Sequence, residues 1–259
     1  MNHRIGTSGW SYDHWKGVFY PEGLSAARWF AHYAAHFDTV EINATFYRMM
    51  PDRTFEGWRD KAPPGFLYAV KMWRQITHRK MLNDAGGELT DFLKRATLLG
   101  DRLGPILIQL PPNLGLDLER LKRFLPLLSR EFEYAVEFRH PSWFTEPIYE
   151  LLRKHQAALC VFHHVKIECP RLLTAPLVYL RFHGASGRYA GKYTSEQLRE
   201  WAGWARRCQS ERHHVVAYFN NDYKGFAVEN AREFRELVNG SQNATRHVVP
   251  TSVGVLNDQ

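Results

Sequence analysis

The sequence predicts a single α/β barrel of the (β/α)8 TIM type, with eight parallel strands. Eight strand-like apolar runs recur along the 259 residues, and seven of them are followed by a plausible helix or by an interval long enough for one. Strands that alternate with helices indicate a parallel sheet, and eight such units fill one closed barrel. An open doubly wound sheet fits less well, because its central strands are apolar on both faces, whereas these strands turn polar at their tips.

The stretch YAVEFRHPSW shows the repeating unit of strand, polar tip and helix most clearly. Val136 and Phe138 point to one side of this strand, and Glu137 and Arg139 point to the other. Ser142 is a plausible N-cap for the helix that follows. The chain therefore places ionisable groups at the carboxyl end of an apolar strand.

The first four strand-like runs are HRIGTSGW, DTVEINATFY, FLYAVKMW and ILIQLPP. Helices are expected between them from about Ser25, near residues 52–62, and from about Glu88 to Asp101. In the second run Glu41 falls on the face opposite Val40 and Ile42, while Lys71 shares a face with Ala69 and Trp73, and Gln109 shares one with Leu107 and Pro111. The face of each strand that carries these polar side chains is predicted to line the barrel interior.

The last four runs are YAVEFRHPSW, ALCVFHH, LVYLRFHG and HVVAYFNND. The helix before the first of them is expected to be bent or shortened by Pro126, and later helices are expected from Ser195 to about Cys208 and from Ala227 to Val238. ALCVFHH opens an irregular unit, because no helix is predicted in the connection that follows it. Residues 1–240 are predicted to form the barrel, and residues 241–259 to form a loose tail.

Charge and cysteine usage restrict the class of protein. The net charge of +7 and the pI of about 9.3 favour anionic partners, although the basic residues are dispersed. Cys160, Cys169 and Cys208 form an odd set without zinc-like spacing, which predicts reduced thiols. The chain shows no apolar signal core and no run of about eighteen apolar residues, so no membrane association is expected and a cytoplasmic location follows.

The inward polar residues become neighbours in a barrel, because the carboxyl ends of all its strands share one rim, where active sites lie. Burying several ions costs several kcal/mol each unless they are paired, so a functional pocket is the better explanation than stability alone. The candidate catalytic residues are Glu41, Lys71, Glu137, His183 and Asp222. The candidate ligand-binding residues are Trp10, Tyr12, Asn43, Tyr47, Gln109, Arg139, Arg181, Asn220 and Asn221.

The charge of this rim indicates what it binds. Lys71, Arg139 and Arg181 favour a phosphate or a carboxylate, since arginine matches these anions with paired hydrogen bonds. Glu41, Glu137, His183 and Asp222 contain metal-ligand types. The neighbouring cations and the absence of HxH or HExxH spacing oppose a metal site there, so no cofactor is predicted, and use of a divalent metal stays open.

Several chemistries fit these residues. Glu41 and Glu137 could divide acid and base roles with His183 as a proton shuttle, or Lys71 could form a Schiff base with a carbonyl substrate. The carboxylate pair also raises glycoside hydrolysis, although three cations exceed what a neutral sugar needs. Nucleic-acid binding is an alternative from another class, suggested by the basic charge, the rim aromatics and the loop GRYAGKY.

Seven ordered blocks resemble the YecE-like family, also called domain of unknown function 72. They are GTSGWSYDHWKGVFYP, TVEINATFYRMMP, AVKMWRQITH, GPILIQLPP, YAVEFRHPSW, YLRFHG and YFNNDYKGFAVENA, and they span about residues 3–238. The resemblance implies a TIM-type barrel in a bacterial or archaeal cytoplasmic protein, and it implies no established reaction. The motif positions it carries over are Gly9, Trp10, Glu41, Asn43, Tyr47, Lys71, Gln109, Glu137, Arg139, Arg181, His183, Asn220, Asn221 and Asp222.

The hypothesis from the sequence is an enzyme that acts on a small or medium-sized anionic substrate, as a hydrolase or as a lyase or isomerase. Arg139 and Arg181 would hold the anion, and Glu137 or Glu41 would serve as general base. Trp10, Tyr12 and Tyr47 would line the mouth of the barrel. The sequence leaves the oligomeric state open.

Overall fold

The computed structural model describes residues 3–187 and 189–240, and it contains all eight predicted strands. The predicted tail, residues 241–259, lies outside the described residues. The strands are β1 His3–Thr7, β2 Thr39–Ile42, β3 Leu67–Lys71, β4 Leu103–Gln109, β5 Tyr134–Glu137, β6 Ala158–His163, β7 Leu177–Phe182 and β8 His214–Phe219.

All neighbouring strands run parallel, in the order β1-β8-β7-β6-β5-β4-β3-β2. The two ends of this order meet just beyond β1, where Ser8 forms a parallel bridge with Glu41. The backbone N–H of Gly9 donates to the carbonyl oxygen of Glu41 at 2.9 Å. The predicted eight-stranded parallel barrel is therefore confirmed.

Eight helices surround the barrel within the described residues. They are α1 Trp29–Ala34, α2 Ala44–Tyr47, α3 Asp52–Lys61, α4 Gly86–Ala96, α5 Leu118–Phe124, α6 Glu146–Lys154, α7 Ser195–Ser210 and α8 Phe226–Asn239.

Local sequence explains where several helices begin and end. α7 starts with a capping box, in which the Thr194 side chain accepts from the backbone N–H of Gln197 and the Gln197 side chain accepts from that of Thr194. α5 ends before Pro126, as predicted. The N-cap predicted for α6 is wrong: the helix starts after Thr145, and the Ser142 hydroxyl accepts from Leu116 N instead.

Two connections depart from the regular alternation. The predicted second strand continues to Tyr47, whereas β2 ends at Ile42 and the short helix α2 follows it. Between β6 and β7 there is no helix, as expected for the irregular unit. This connection leaves a cavity of about 700 Å³ beside Trp201 of α7.

Side chains inside the barrel lie in two levels. The apolar level is a buried cluster made of Ala69, Leu107, Ala135, Ala158, Cys160, Leu177, Tyr179, Val216 and Tyr218. Each of these positions falls on the inward face that strand alternation predicts. Two residues further along β5 and β7, the inward positions are Glu137 and Arg181, so the ionisable groups lie above the apolar level at the carboxyl end.

The seam between β1 and β2 depends on a glycine. A Cβ on Gly6 would lie 2.3 Å from the carbonyl oxygen of Thr39 and 2.9 Å from the hydroxyl of Tyr33. Both atoms belong to the elements that close the barrel, so a side chain at this position would push the seam apart.

Gly6→Ala is expected to lower the free energy of unfolding by about 1–3 kcal/mol, because overpacking forces the backbone to shift. Urea unfolding measures this change. Gly57→Ala is the matched control: Gly57 lies inside α3 with open space around it, so this change should raise stability by about 0.5–1 kcal/mol. Equal effects of the two substitutions would contradict the assigned seam.

Candidate functional site

Arg181 occupies the centre of the barrel where the apolar level ends. Its side chain is 1 % exposed, and it forms two ion pairs to strands on opposite sides. Nη1 lies 2.6 Å from Oε2 of Glu137 on β5, and Nη2 lies 2.6 Å from Oε1 of Glu41 on β2. One guanidinium thus compensates two carboxylates that have no exposed surface.

Glu41 is held by further hydrogen bonds from β7 and from the residue that follows β1. The hydroxyl of Tyr179 donates to Oε2 at 2.7 Å, and the hydroxyl of Ser8 donates to Oε1. The Asn43 side-chain amide donates to the Ser8 oxygen at 2.8 Å. These hydrogen bonds therefore fix the side chains of Glu41, Tyr179, Ser8 and Asn43 below the rim.

Glu137 accepts from three side chains at one oxygen atom. Oε1 lies 2.6 Å from Nη1 of Arg139, 2.9 Å from Nε2 of Gln109 and 3.0 Å from Nε2 of His183. Arg139 Nη1 and His183 Nε2 are 2.8 Å apart. The proton position on the imidazole decides this contact: with the proton on Nδ1, His183 Nε2 accepts from Arg139, and with the proton on Nε2, it donates to Glu137.

These contacts keep both carboxylates ionised. Burial by itself would raise the pKa of Glu41 and of Glu137, but the Arg181 charge and the hydrogen bonds outweigh it. The pKa of Glu41 is lowered, and the pKa of Glu137 is held well below its usual range. Both groups are charged at neutral pH.

His183 is the neutral member of this cluster. Burial lowers its pKa to about 4, although the neighbouring Glu137 carboxylate acts in the opposite direction. A neutral imidazole with its proton on Nε2 donates to Glu137 and leaves Nδ1 as an acceptor. The Asn220 side-chain amide lies 3.5 Å from Nδ1.

Lys71 differs from the other buried ions of the site. Its side chain stands at the end of β3 and is 8 % exposed, and its ammonium lies 4.1 Å from the centre of the Phe46 ring. No hydrogen bond or ion pair joins it to a residue in the described part of the chain. Burial, followed by the charge of Arg181, lowers its pKa to about 7.

Burial without a counter-charge explains the lowered pKa of Lys71. Glu41, Glu137, Arg139 and Arg181 carry two negative and two positive charges, which cancel. The Lys71 ammonium therefore has no carboxylate of its own, and removing it from water is not compensated. The lysine thus holds a partly neutral amine at the mouth of the barrel.

Two predicted site residues lie apart from this cluster. Asn221 faces α8 and donates to the carbonyl oxygen of Gly191 and to the Asn230 side chain, both at 3.0 Å. The backbone carbonyl of Asp222 accepts from the ring nitrogens of His14 and Trp15, at 2.8 and 2.9 Å. Both residues fix loops behind the rim.

The predicted rim aromatics divide into two groups. The Trp10 ring packs against Phe30, Trp58 and Tyr68, whose rings belong to the main core outside the barrel. Tyr12 donates to the carbonyl oxygen of Ser8, and Tyr47 is 67 % exposed. Tyr12 also packs against Trp15, so Tyr47 is the most exposed of the three.

Sequence reasoning missed three residues that shape the site. Tyr179 has the same inward alternation as Arg181, and Ser8 follows β1 directly, so both could have been found from strand tips. Phe46 gave no such signal, because the run that contains it resembled a continued strand. Its ring reaches Lys71 since the chain turns into α2 after β2.

The residues that the structure describes contain no group of three or more His, Cys, Asp or Glu side chains placed to hold a metal ion. Glu41 and Glu137 are separated by the Arg181 guanidinium, which takes an oxygen of each. Their arrangement thus serves ion pairing.

Among the described helices, none is both long and apolar enough to cross a membrane.

Arg181→Met is expected to cost about 3–5 kcal/mol of unfolding free energy at pH 7, because two buried carboxylates lose their counter-charge. In the native protein, the ionised Glu41 and Glu137 contribute stability above about pH 4.5, because their pKa values are lowered. This stability is lost as the pH falls through the pKa values of the folded state. In the variant, burial raises both pKa values, so protonation should restore stability.

The difference between native protein and variant should therefore shrink as the pH falls, above about pH 4.5 because the variant's raised carboxyl groups protonate, and below about pH 4.5 because the native protein loses its own stabilisation. Chemical unfolding at several pH values measures it. Arg153→Met, which removes the exposed pair with Glu146, is the control and should cost under about 1 kcal/mol. A pH-independent difference would refute the central pairing.

Two proteins that are similar to this chain in sequence both carry the name UPF0759. The chain is 28% identical over 267 residues to UPF0759 protein YunF of Bacillus subtilis, which covers 90% of this chain and 94% of the relative. It is 33% identical over 143 residues to UPF0759 protein YecE of Escherichia coli K12, which covers 55% of this chain and 50% of the relative.

Solved structures agree with the barrel. A DUF72 family protein of Thermotoga maritima matches with a TM-score of 0.83 and 32% identity, over 92% of this chain and 99% of its own. A DUF72 family protein of Enterococcus faecalis matches with a TM-score of 0.79 and 19% identity, over 97% of this chain and 100% of its own, which supports the fold. The family model described as "Protein of unknown function DUF72" matches residues 4–253, so the chain belongs to the DUF72 family.

Proposed function

We propose that this chain is an enzyme that binds a small or medium-sized phosphate- or carboxylate-bearing substrate at the carboxyl end of the barrel and transfers protons there. The observation that carries the proposal is Lys71, a buried amine without a paired carboxylate beside four mutually compensated ions. A group with a pKa near the operating pH both gives and takes protons efficiently. Lys71, with a pKa lowered to about 7, meets this condition.

Arg139 is the better anion ligand of the two arginines. Its side chain is 11 % exposed, and one of its nitrogens, Nη1, is engaged with Glu137. Its other nitrogens have no hydrogen bond to a described residue, so they are free to donate to an anion. Arg181 is enclosed by Glu41 and Glu137 and supports the site from below.

The two carboxylates take a different part from the general-base part expected from the sequence. Glu41 and Glu137 have no exposed surface and accept from several donors. Their lowered pKa values make them weak bases. The proposal therefore assigns them to fixing Arg181 and Arg139, and gives proton transfer to Lys71. The same burial disfavours glycoside hydrolysis, which needs two carboxyl groups that flank the sugar.

Binding of single-stranded nucleic acid is the second candidate function. Tyr47 ends α2 and is 67 % exposed, and Tyr223 begins a 3-10 turn after β8 and is 58 % exposed, so both lie beyond the carboxyl ends of strands. The Lys224 ammonium lies 5.5 Å from the Tyr223 ring centre. Exposed rings beside basic side chains are the platform on which bases stack.

Affinity for an oligonucleotide should then fall steeply with salt and drop in Tyr47→Ala, whereas salt-independent binding would contradict this role.

Anion binding is testable by thermal shift with phosphate, sugar phosphates and small carboxylic acids. A ligand at about 100 times its dissociation constant contributes roughly 2.7 kcal/mol, which corresponds to a rise of about 5–10 °C for a domain of this size. Arg139→Ala should weaken binding by about 1.5–3 kcal/mol, because a charged hydrogen bond is lost.

The ligand-induced rise is the readout, since Arg139→Ala also changes the melting temperature of the free protein. Arg153→Ala on α6 is the matched control, because this arginine pairs with Glu146 at an exposed position, and its variant should keep the full rise. An anion-induced rise that survives in Arg139→Ala would place the anion elsewhere.

A further inference from the structure

Lys71 combines three properties that proton transfer alone does not require. The side chain is more than nine-tenths buried, it points to the mouth from the end of β3, and it has no hydrogen-bond or ion-pair partner among the described residues. Its backbone carbonyl accepts from the Thr45 hydroxyl at 2.7 Å, which fixes the point from which the side chain starts. The amine is therefore held in place but left without a partner.

The surroundings keep this amine unprotonated for much of the time. Burial lowers the pKa of Lys71 to about 7, and the charges of Arg181 and Arg139 act in the same direction. A substantial fraction of the Lys71 side chains is then neutral at pH 7, against roughly 1 in 2,500 for an ordinary lysine. A neutral amine is a nucleophile.

We propose that Lys71 forms an imine with the carbonyl carbon of an anionic aldehyde or ketone, whose phosphate or carboxylate is bound by Arg139. This inference rests on the proposed function, because it places the same substrate between the same two cations. It narrows the substrate class from anions in general to anions that carry a carbonyl group.

The step balances without an external oxidant or reductant. The nitrogen lone pair of Lys71 forms a bond to the carbonyl carbon, and one amine proton moves to the oxygen to give a carbinolamine. The second amine proton leaves with that hydroxyl group as water, and a carbon–nitrogen double bond remains. Protonation of this imine draws electrons from the neighbouring carbon, which is the requirement for lyase or isomerase chemistry.

Phe46 suits both states of the nitrogen. Its ring centre is 4.1 Å from the Lys71 nitrogen, and the ring covers one side of it with an apolar surface. An aromatic face stabilises a neighbouring cation, so it would stabilise the protonated imine as it does the ammonium. The same surface excludes water from one side of the imine and so opposes its hydrolysis.

Borohydride trapping tests the inference. The full chain is incubated at pH 7 with pyruvate or dihydroxyacetone phosphate, reduced, and analysed by intact mass and peptide mapping. Reduction adds hydride to the imine carbon, so the expected product is one adduct at Lys71 with the mass of the carbonyl compound less one oxygen. The yield should fall at least tenfold in Arg139→Ala and vanish at this position in Lys71→Arg and Lys71→Met.

Lys192→Arg is the matched control, since Lys192 is an exposed lysine paired with Glu229, and its variant should label like the native protein. Circular dichroism establishes that each variant is folded. Adducts spread over exposed lysines without Lys71, or no adduct with either compound, would overturn the imine.

Analogues without an aldehyde or ketone group distinguish failure of the imine from failure of the proposed function. Lactate and glycerol 3-phosphate carry the same anions as the two probes, and they cannot form an imine. If they raise the melting temperature in an Arg139-dependent way while no adduct is trapped, the imine fails and the anion site stands. If they do not bind and no adduct forms, both proposals fail.

Discussion

Arg181 forms two ion pairs across the interior of the barrel, one to Glu41 on β2 and one to Glu137 on β5. Neither strand is a neighbour of β7, which carries Arg181, so both pairs cross the interior of the barrel above its apolar level. Removing one partner would leave an uncompensated buried charge, which costs several kcal/mol. The positions of Arg139, Gln109 and His183 depend on this core pairing, because all three donate to the oxygen of Glu137 that Arg181 leaves open.

The same pairing determines the chemistry available at the mouth. The carboxylates and arginines cancel in charge, and both oxygens of each carboxylate already accept from side chains of the site. Lys71 remains as a buried amine without a carboxylate, and Arg139 keeps nitrogens that no described residue occupies. An anion that binds there meets a cation that holds it and an amine that can accept a proton from it or react with it.

Much of this arrangement could be predicted from the sequence. Strand alternation has a period of two, and parallel strands end at one rim, so Glu41, Lys71, Glu137 and Arg181 were expected to meet. Their pairing could not be predicted, because contacts between β2, β5 and β7 depend on the three-dimensional width of the barrel. Asn221 faces α8, and Trp10 packs outside the barrel. A polar or aromatic residue at a strand tip does not by itself reveal which side of the loop it occupies.

The most direct test is an NMR titration of the protein labelled with carbon-13 at the lysine ε position, with the Lys71 resonance assigned from Lys71→Arg. This measurement reports the protonation of Lys71 without a substrate. The resonance is predicted to titrate with a pKa of about 7, apart from the other lysines. A Lys71 resonance that titrates near 10.5, the ordinary value for lysine, would contradict an amine that is reactive at neutral pH.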